Sequence, residues 1–354
     1  MTKIPQKTLI RNIYDYYVKV NGNGFRNHLG ASIIGNKCMR SLWYGFRWTL
    51  PAMFEGRLLR LFETGQQEEE RIIRNLRDIG IEVWNQDDNG NQFRFKTLGG
   101  HFAGSLDGVV LGIPESAKIP HLLECKTSND KYFKLIQKNG VQAEKPEHYA
   151  QMVIYMEFLE LSRALYFVVN KNNDEIYTER IKENPAEAKR LILKAEQIIR
   201  SNTPPQGISD NPMHWECKFC NYWKLCFDEF VPAVNCRTCA HSTPVVDDDD
   251  EQIRIVTAYD EALDSFWHCA KYNSSIPAGE QAYKGCKHHL FIPDLIPYAN
   301  VLNADTDANW IEYVHKIDGN VFRNVSKGNE TDEAFSSDQL TSVETGGLDG
   351  KTTN

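Results

Sequence analysis

The chain has 354 residues, 41% of them hydrophobic, and 40 Lys and Arg stand against 48 Asp and Glu for a net charge of −8. That length can bury one large core and a smaller one, while the acidic balance argues against a general nucleic-acid binder, which needs clustered cations. No apolar run reaches 18 residues, because Met152 to Val169 is broken by Glu157, Glu160 and Arg163, and no signal peptide is present, so a cytoplasmic protein is expected.

In chain order, periodicity predicts helices near 5–19, 36–47 and 55–79, then strands near 81–84, 91–97, 102–111 and 119–126. Helices near 129–138 and 145–160 follow, then strands near 163–169 and 175–181 and a long helix over 185–201 that stops before Pro204-Pro205. Helices, a strand meander, then helix, strand and helix describe an α/β fold: a mixed central sheet flanked by helices. Neither an internal repeat nor a phosphate-binding glycine loop appears, which excludes a fused helicase or ATPase. Residues 37–60 carry Lys37, Arg40, Arg47, Arg57 and Arg60 against Glu55 alone, with Trp43, Tyr44, Phe46 and Trp48 interleaved. This segment is read as gripping a DNA strand by charge and stacking; aromatic core residues of an amphipathic helix would explain the rings equally well. Asp247 to Glu251 reads as a solvated acidic loop, and residues 301–354 as a polar, partly disordered tail.

Gly104-Ser105-Leu106-Asp107-Gly108-Val109-Val110 and Leu122-Leu123-Glu124-Cys125-Lys126 place two carboxylates on adjacent strands. Lys126 falls on the same face as Glu124, since side chains alternate with period 2, and Cys125 points to the opposite face. Two carboxylates can hold a hard divalent cation, and the ammonium can orient water or stabilise developing charge, a set suited to phosphodiester hydrolysis. A solvated hairpin with a surface ion pair would spell the same residues.

The segment resembles motifs II and III of the PD-(D/E)XK nuclease superfamily, with Asp107, Glu124 and Lys126 in the motif positions. His148-Tyr149-Ala150-Gln151-Met152-Val153-Ile154-Tyr155 matches the Gln-x-x-x-Tyr helix of its RecB-like branch, which includes lambda-type exonucleases; Gln151 and Tyr155, four apart, share a helix face. The resemblance implies a restriction-endonuclease-like core over 1–230, a Mg2+- or Mn2+-dependent exonuclease acting on DNA ends, and substrate positioning by Gln151 and Tyr155. It further implies a metal ligand four residues after Gly65, Glu69, with Glu68 and Glu70 as substitutes, and a metal-facing Cys125 carbonyl. Gly30-Ala31-Ser32 resembles the segment by which lambda-type exonucleases hold a 5′ phosphate, although a helix N-cap reads alike. A phage-encoded enzyme of recombination or DNA end processing, with a recombination partner protein, is the setting implied. A structure- or site-specific endonuclease and a non-cutting DNA-binding scaffold on the same fold are the alternatives.

Nine cysteines supply the second signal. In a chain read as cytosolic, clustered cysteines are more often metal ligands than disulfides. Cys217, Cys220 and Cys226 form a tight trio, and in iron-sulfur members of the RecB-like branch the fourth thiolate comes from upstream, here Cys38. The resemblance implies a 4Fe-4S cluster stapling the N-terminal helices to the end of the core, with Zn2+ as the alternative on the same sulfurs. Cys236 and Cys239 have zinc-knuckle spacing, and with Cys269 and Cys286 they would close a structural Zn2+ site over 231–300, a region whose apolar core looks thin. His241, His268, His288 or His289 is near enough in sequence to replace one cysteine.

Overall fold

The computed structural model describes residues 6–21, 26–50, 54–246, 254–256, 265–282 and 284–342; the acidic run from Asp247 to Glu251 lies outside them. The elements in order are α1 (Gln6–Asn21), β1 (Leu29–Gly30), α2 (Met39–Phe46), α3 (Gly56–Asp78), β2 (Glu82–Trp84), β3 (Arg94–Thr97), β4 (Phe102–Ser105), β5 (Gly108–Leu111) and β6 (His121–Ser128). They continue through α4 (Asp130–Asn139), α5 (Val141–Glu144), α6 (Pro146–Phe158), β7 (Arg163–Asn170), β8 (Ile176–Lys182), α7 (Pro185–Arg200), α8 (Trp215–Lys218) and α9 (Trp223–Phe227). The C-terminal part adds β9 (Ser242–Pro244), β10 (Arg254–Val256), β11 (Trp267–Cys269), β12 (Ser274–Ile276), β13 (Ala299–Asp305), β14 (Trp310–His315), β15 (Val321–Val325), β16 (Ala334–Ser336) and α10 (Ser337–Ser342).

The central sheet runs β2-β5-β6-β7-β8 and is mixed, with β6 and β7 parallel and the other pairs antiparallel. Strands β6 and β7 are almost entirely buried because both faces are covered. On one face Leu123, Cys125, Leu165 and Phe167 meet Ile72, Ile73 and Leu76 of α3. On the other, Leu122, Ala164, Tyr166 and Val168 join the larger core with α6 and α7. Helix α6 is apolar nearly all round and buried from Ala150 to Met156, as expected for a helix wedged between sheet and helix. The α/β class, a mixed sheet flanked by helices, is the fold observed.

The single strand expected over 102–111 is two strands. It breaks at Leu106-Asp107: β4 joins a second sheet of order β1-β4-β3-β10, while β5 pairs with β2 and β6. Gly108, at φ 154°, makes the switch, and a Cβ there would meet the Trp84 carbonyl oxygen at 2.9 Å.

The C-terminal readings also change. Residues 301–336 are not a tail: β13 to β16 form a four-stranded sheet over a core of Val234, Phe291, Ile296, Tyr313 and Phe322. Alternation of buried and half-buried residues along Trp310 to His315 drives it, and the many surface polar groups of these short strands had masked that pattern. Residues 343–354 lie outside the described residues. Nor is 231–300 a separate thin unit, since Trp267, Ile276, Ile292 and Leu295 pack into the main core and β10 extends the β3-β4 sheet.

Arg47, read as a DNA contact, is fully buried. It donates to the carbonyls of Arg237, Ser242 and Ser201 and lies over Trp43 and Trp267. Trp43, Tyr44, Phe46 and Trp48 are core residues as well. Among the described residues, no helix is long and apolar enough to cross a membrane.

Candidate active site

Asp107 occupies the point where the chain leaves one sheet for the other, at the edge of β6. Its Oδ2 accepts the Cys125 amide at 2.7 Å, which fixes the carboxylate beside Glu124. Glu124 is fully buried on β6, and Lys126, two residues on, donates to its Oε1 while keeping 26% of its side chain exposed. From α6, Gln151 donates to Glu124 Oε2 at 3.1 Å and to the Tyr155 hydroxyl at 3.3 Å. Both side chains are buried: Gln151 reaches Glu124, and Tyr155 stands behind Gln151. The Tyr155 ring packs edge-on against Phe95, and Gly104 makes room for it: a Cβ there would lie 2.5 Å from the hydroxyl.

The register of the three glutamates on α3 is set by the apolar face of Ile72, Ile73 and Leu76. Glu69 is the member that feels the charges of Asp107 and Lys126. Glu68 instead pairs with Arg71 at 2.8 Å, which also reaches Asp174, and Glu70 is exposed.

Burial is the largest influence on all three carboxylates. It lifts Glu69 to about 7, aided by the Asp107 charge and opposed by Lys126. It lifts Glu124 to about 8, with Lys126 lowering it and Asp107 raising it. Asp107 is raised too, against the pull of Lys126 and the Cys125 amide. Burial works against the Lys126 ammonium, yet the neighbouring Glu124 and Asp107 outweigh it and hold the group charged. Three acids held toward their neutral forms stand beside one ammonium, and a bound cation would favour their ionised forms. Among the described residues, no three His, Cys, Asp or Glu side chains are placed to hold a metal ion as they stand; here Lys126 and Gln151 occupy Glu124, and the Cys125 amide occupies Asp107.

Two neighbours escaped the sequence reading. Tyr166 lies opposite Glu124 in the parallel pair β6-β7, and its hydroxyl is 3.0 Å from His148 Nδ1. Burial first, then Lys126 and Lys145, push His148 down to about 3, so its imidazole is neutral beside the cluster. The parity shared by Glu124 and Tyr166 in paired strands was the available signal, but it needs the strand register, which sequence alone does not supply.

The remaining residues fall into three places. Cys38 stands at the N-cap of α2, Cys217 and Cys226 lie in α8 and α9, and Cys220 lies between them; burial first, then neighbouring thiols, raises Cys217, Cys220 and Cys226, and Arg40 and Tyr44 bond to Cys226. A Lys37–Glu216 ion pair at 3.1 Å joins the same two segments. Arg40 also donates to the Pro205 carbonyl, so it serves this junction rather than an open DNA surface. Ser32 sits in a single 3-10 turn packed against α6 and β4 and accepts from Arg26 at 3.1 Å. Cys236, Cys239, Cys269 and Cys286 line one cavity of about 920 Å3.

No family profile and no curated protein matches this sequence. Among solved structures, SSO0001 is 18% identical, with 62% of this chain and 96% of that one covered at a TM-score of 0.37. LHK-Exo in complex with dAMP is 15% identical, covering 53% and 89% at 0.36. The same alkaline exonuclease, from Laribacter hongkongensis, is 16% identical in a second structure, covering 52% and 90% at 0.36. The likeness is coarse at these identities and scores.

Proposed function

We propose that this chain is a divalent-metal-dependent deoxyribonuclease that degrades DNA from its ends. The observation that carries the reading is the meeting of Glu69, Asp107, Glu124 and Lys126 in one cluster, with Asp107 fixed by the Cys125 amide, Lys126 bonded to Glu124, and all three carboxylates raised chiefly by burial. Such a donor set fits Mg2+ or Mn2+, hard cations that take carboxylate oxygens. Glu69, Asp107 and Glu124 would hold the ion, with the Cys125 carbonyl as a further oxygen donor. When bound, the ion offsets phosphate charge and activates water for attack on the phosphodiester. The Lys126 ammonium steadies charge developing on the phosphoryl oxygens. Gln151, backed by Tyr155, keeps Glu124 in one orientation. Arg26 and Ser32 offer a cation and a hydroxyl to a terminal phosphate, which favours action at ends. On Cys38, Cys217, Cys220 and Cys226 the reading places a 4Fe-4S cluster, a staple between α2 and the α8-α9 segment.

The test is digestion of end-labelled linear duplex, single-stranded and covalently closed circular DNA, with Mg2+ and with a chelator. Loss of linear DNA alone, blocked by the chelator, is expected. Cutting of the circle would replace the end-dependent reading by an endonuclease, and absence of chelator-sensitive cleavage on every substrate would leave only a DNA-binding scaffold.

A further inference from the structure

The nuclease cluster leaves unused the cavity that Cys236, Cys239, Cys269 and Cys286 share. These residues come from three stretches of chain: Cys236 opens a 3-10 turn and Cys239 follows it and bridges to Phe291, Cys269 ends β11, and Cys286 stands in the loop after β12. The turn itself is rigid, since Asn235 and Thr238 form a capping box around it. The Cys239 sulfur accepts the backbone amides of His241 and Leu290, which hold it in place against the turn. Four sulfurs lining one cavity offer a soft donor set that a shared cation can hold.

The imidazoles nearby are committed elsewhere. His289 has Nδ1 at 2.8 Å from Ser337 Oγ and Nε2 at 3.0 Å from the Asn235 carbonyl. His241 Nε2 is 2.7 Å from Asn309 Oδ1, and His268 and His288 contact Asn273 and Ser326. His289, the histidine on the cavity wall, thus has both ring nitrogens taken, and the four sulfurs are the soft donors that line the space.

We propose that Cys236, Cys239, Cys269 and Cys286 form a four-thiolate site for a soft tetrahedral cation, Zn2+, independent of the nuclease cluster. The four sulfurs line the cavity but, among the described residues, no three of them are placed to hold a metal ion as they stand, so binding must draw the 284–289 loop and the end of β11 in toward the Cys236–Cys239 turn. The metal then clamps the β12-β11-β9 sheet to the segment that leads, through Phe291, into the C-terminal sheet.

Residue-resolved alkylation of the reduced full-length protein, with and without Zn2+, tests this directly. Zn2+ should slow modification of Cys236, Cys239, Cys269 and Cys286 together by about tenfold or more, leaving Cys125 unchanged, because a metal-bound sulfur is a poor nucleophile. Unchanged labelling at these four positions would overturn the proposal. As a second measurement, Co2+ loading should give sulfur-to-metal charge-transfer absorption that weakens in Cys269→Ser but not in His241→Ala. Loss of signal in His241→Ala instead would place nitrogen in the site and contradict the four-sulfur assignment.

Discussion

Glu124 shows how far a single residue's chemistry could be read ahead of the structure. Strand alternation alone puts Glu124 and Lys126 on one face and Cys125 on the other, and the structure keeps that arrangement. Glu69 was harder, because three consecutive glutamates are equivalent until the core residues Ile72, Ile73 and Leu76 fix the rotation of α3. Arg47 was misread for a related reason. A cation in sequence looks like a surface group, and its three carbonyl acceptors come from residues more than 150 positions away. Two outcomes follow at this scale. Glu124→Gln, which keeps the shape and removes the charge, should lower nuclease activity by about a thousandfold, several kcal/mol of transition-state stabilisation, measured as kcat on linear duplex. Arg47→Lys should lower unfolding stability by about 3 kcal/mol, since one ammonium cannot span three carbonyls and stack on two rings, and chemical denaturation will show it.

At the scale of elements, the break between β4 and β5 places the site. Sequence pattern showed one long apolar run over 102–111, and the division at Asp107 was invisible because both halves alternate alike; only pairing partners tell them apart. Helix α6 was legible as an element, but not which of its sides faces Glu124, since it is apolar nearly all round. The close approach of β4 to α6 gives a sharp test. Gly104→Ala adds a methyl 2.5 Å from the Tyr155 hydroxyl, so Tyr155 must move and Gln151 loses its backing. Activity should fall by about ten- to a hundredfold, the range for a misplaced supporting group, while circular dichroism stays that of the parent. Full activity in this variant would show that Tyr155 is dispensable to Glu124.

For the whole molecule, the C-terminal third is bound to the α/β core by polar groups buried without carboxylate partners. Arg237 donates to the carbonyls of Phe46 and Asn27 and to Gln281, and stacks 3.8 Å over Trp48. His101 places Nε2 within 3.1 Å of the Val245 and Phe266 carbonyls, joining the β3-β4 turn to the strands beyond. None of these long-range contacts has a local sequence signature, which is why 231–300 and the residues after it read as separate pieces. Burial, reinforced by Arg237, pushes His101 down to about 3, against the pull of its two carbonyl partners. The folded protein thus keeps this ring neutral where the unfolded chain, near its ordinary 6.5, takes a proton. Its contribution is complete above pH 6.5 and drains away as pH falls toward 3, by about 1.4 kcal/mol per pH unit at most. Urea unfolding from pH 7 to 5 should show this slope, flattened in His101→Gln.

The most direct measurement is cleavage of linear duplex by Lys126→Ala beside the parent chain, in Mg2+, after both are shown to unfold at the same temperature to within a few degrees. Cleavage lost in the variant and present in the parent is the expected result. Equal cleavage by both would place the chemistry away from Asp107, Glu124 and Lys126 and contradict the assignment of this cluster as the active site.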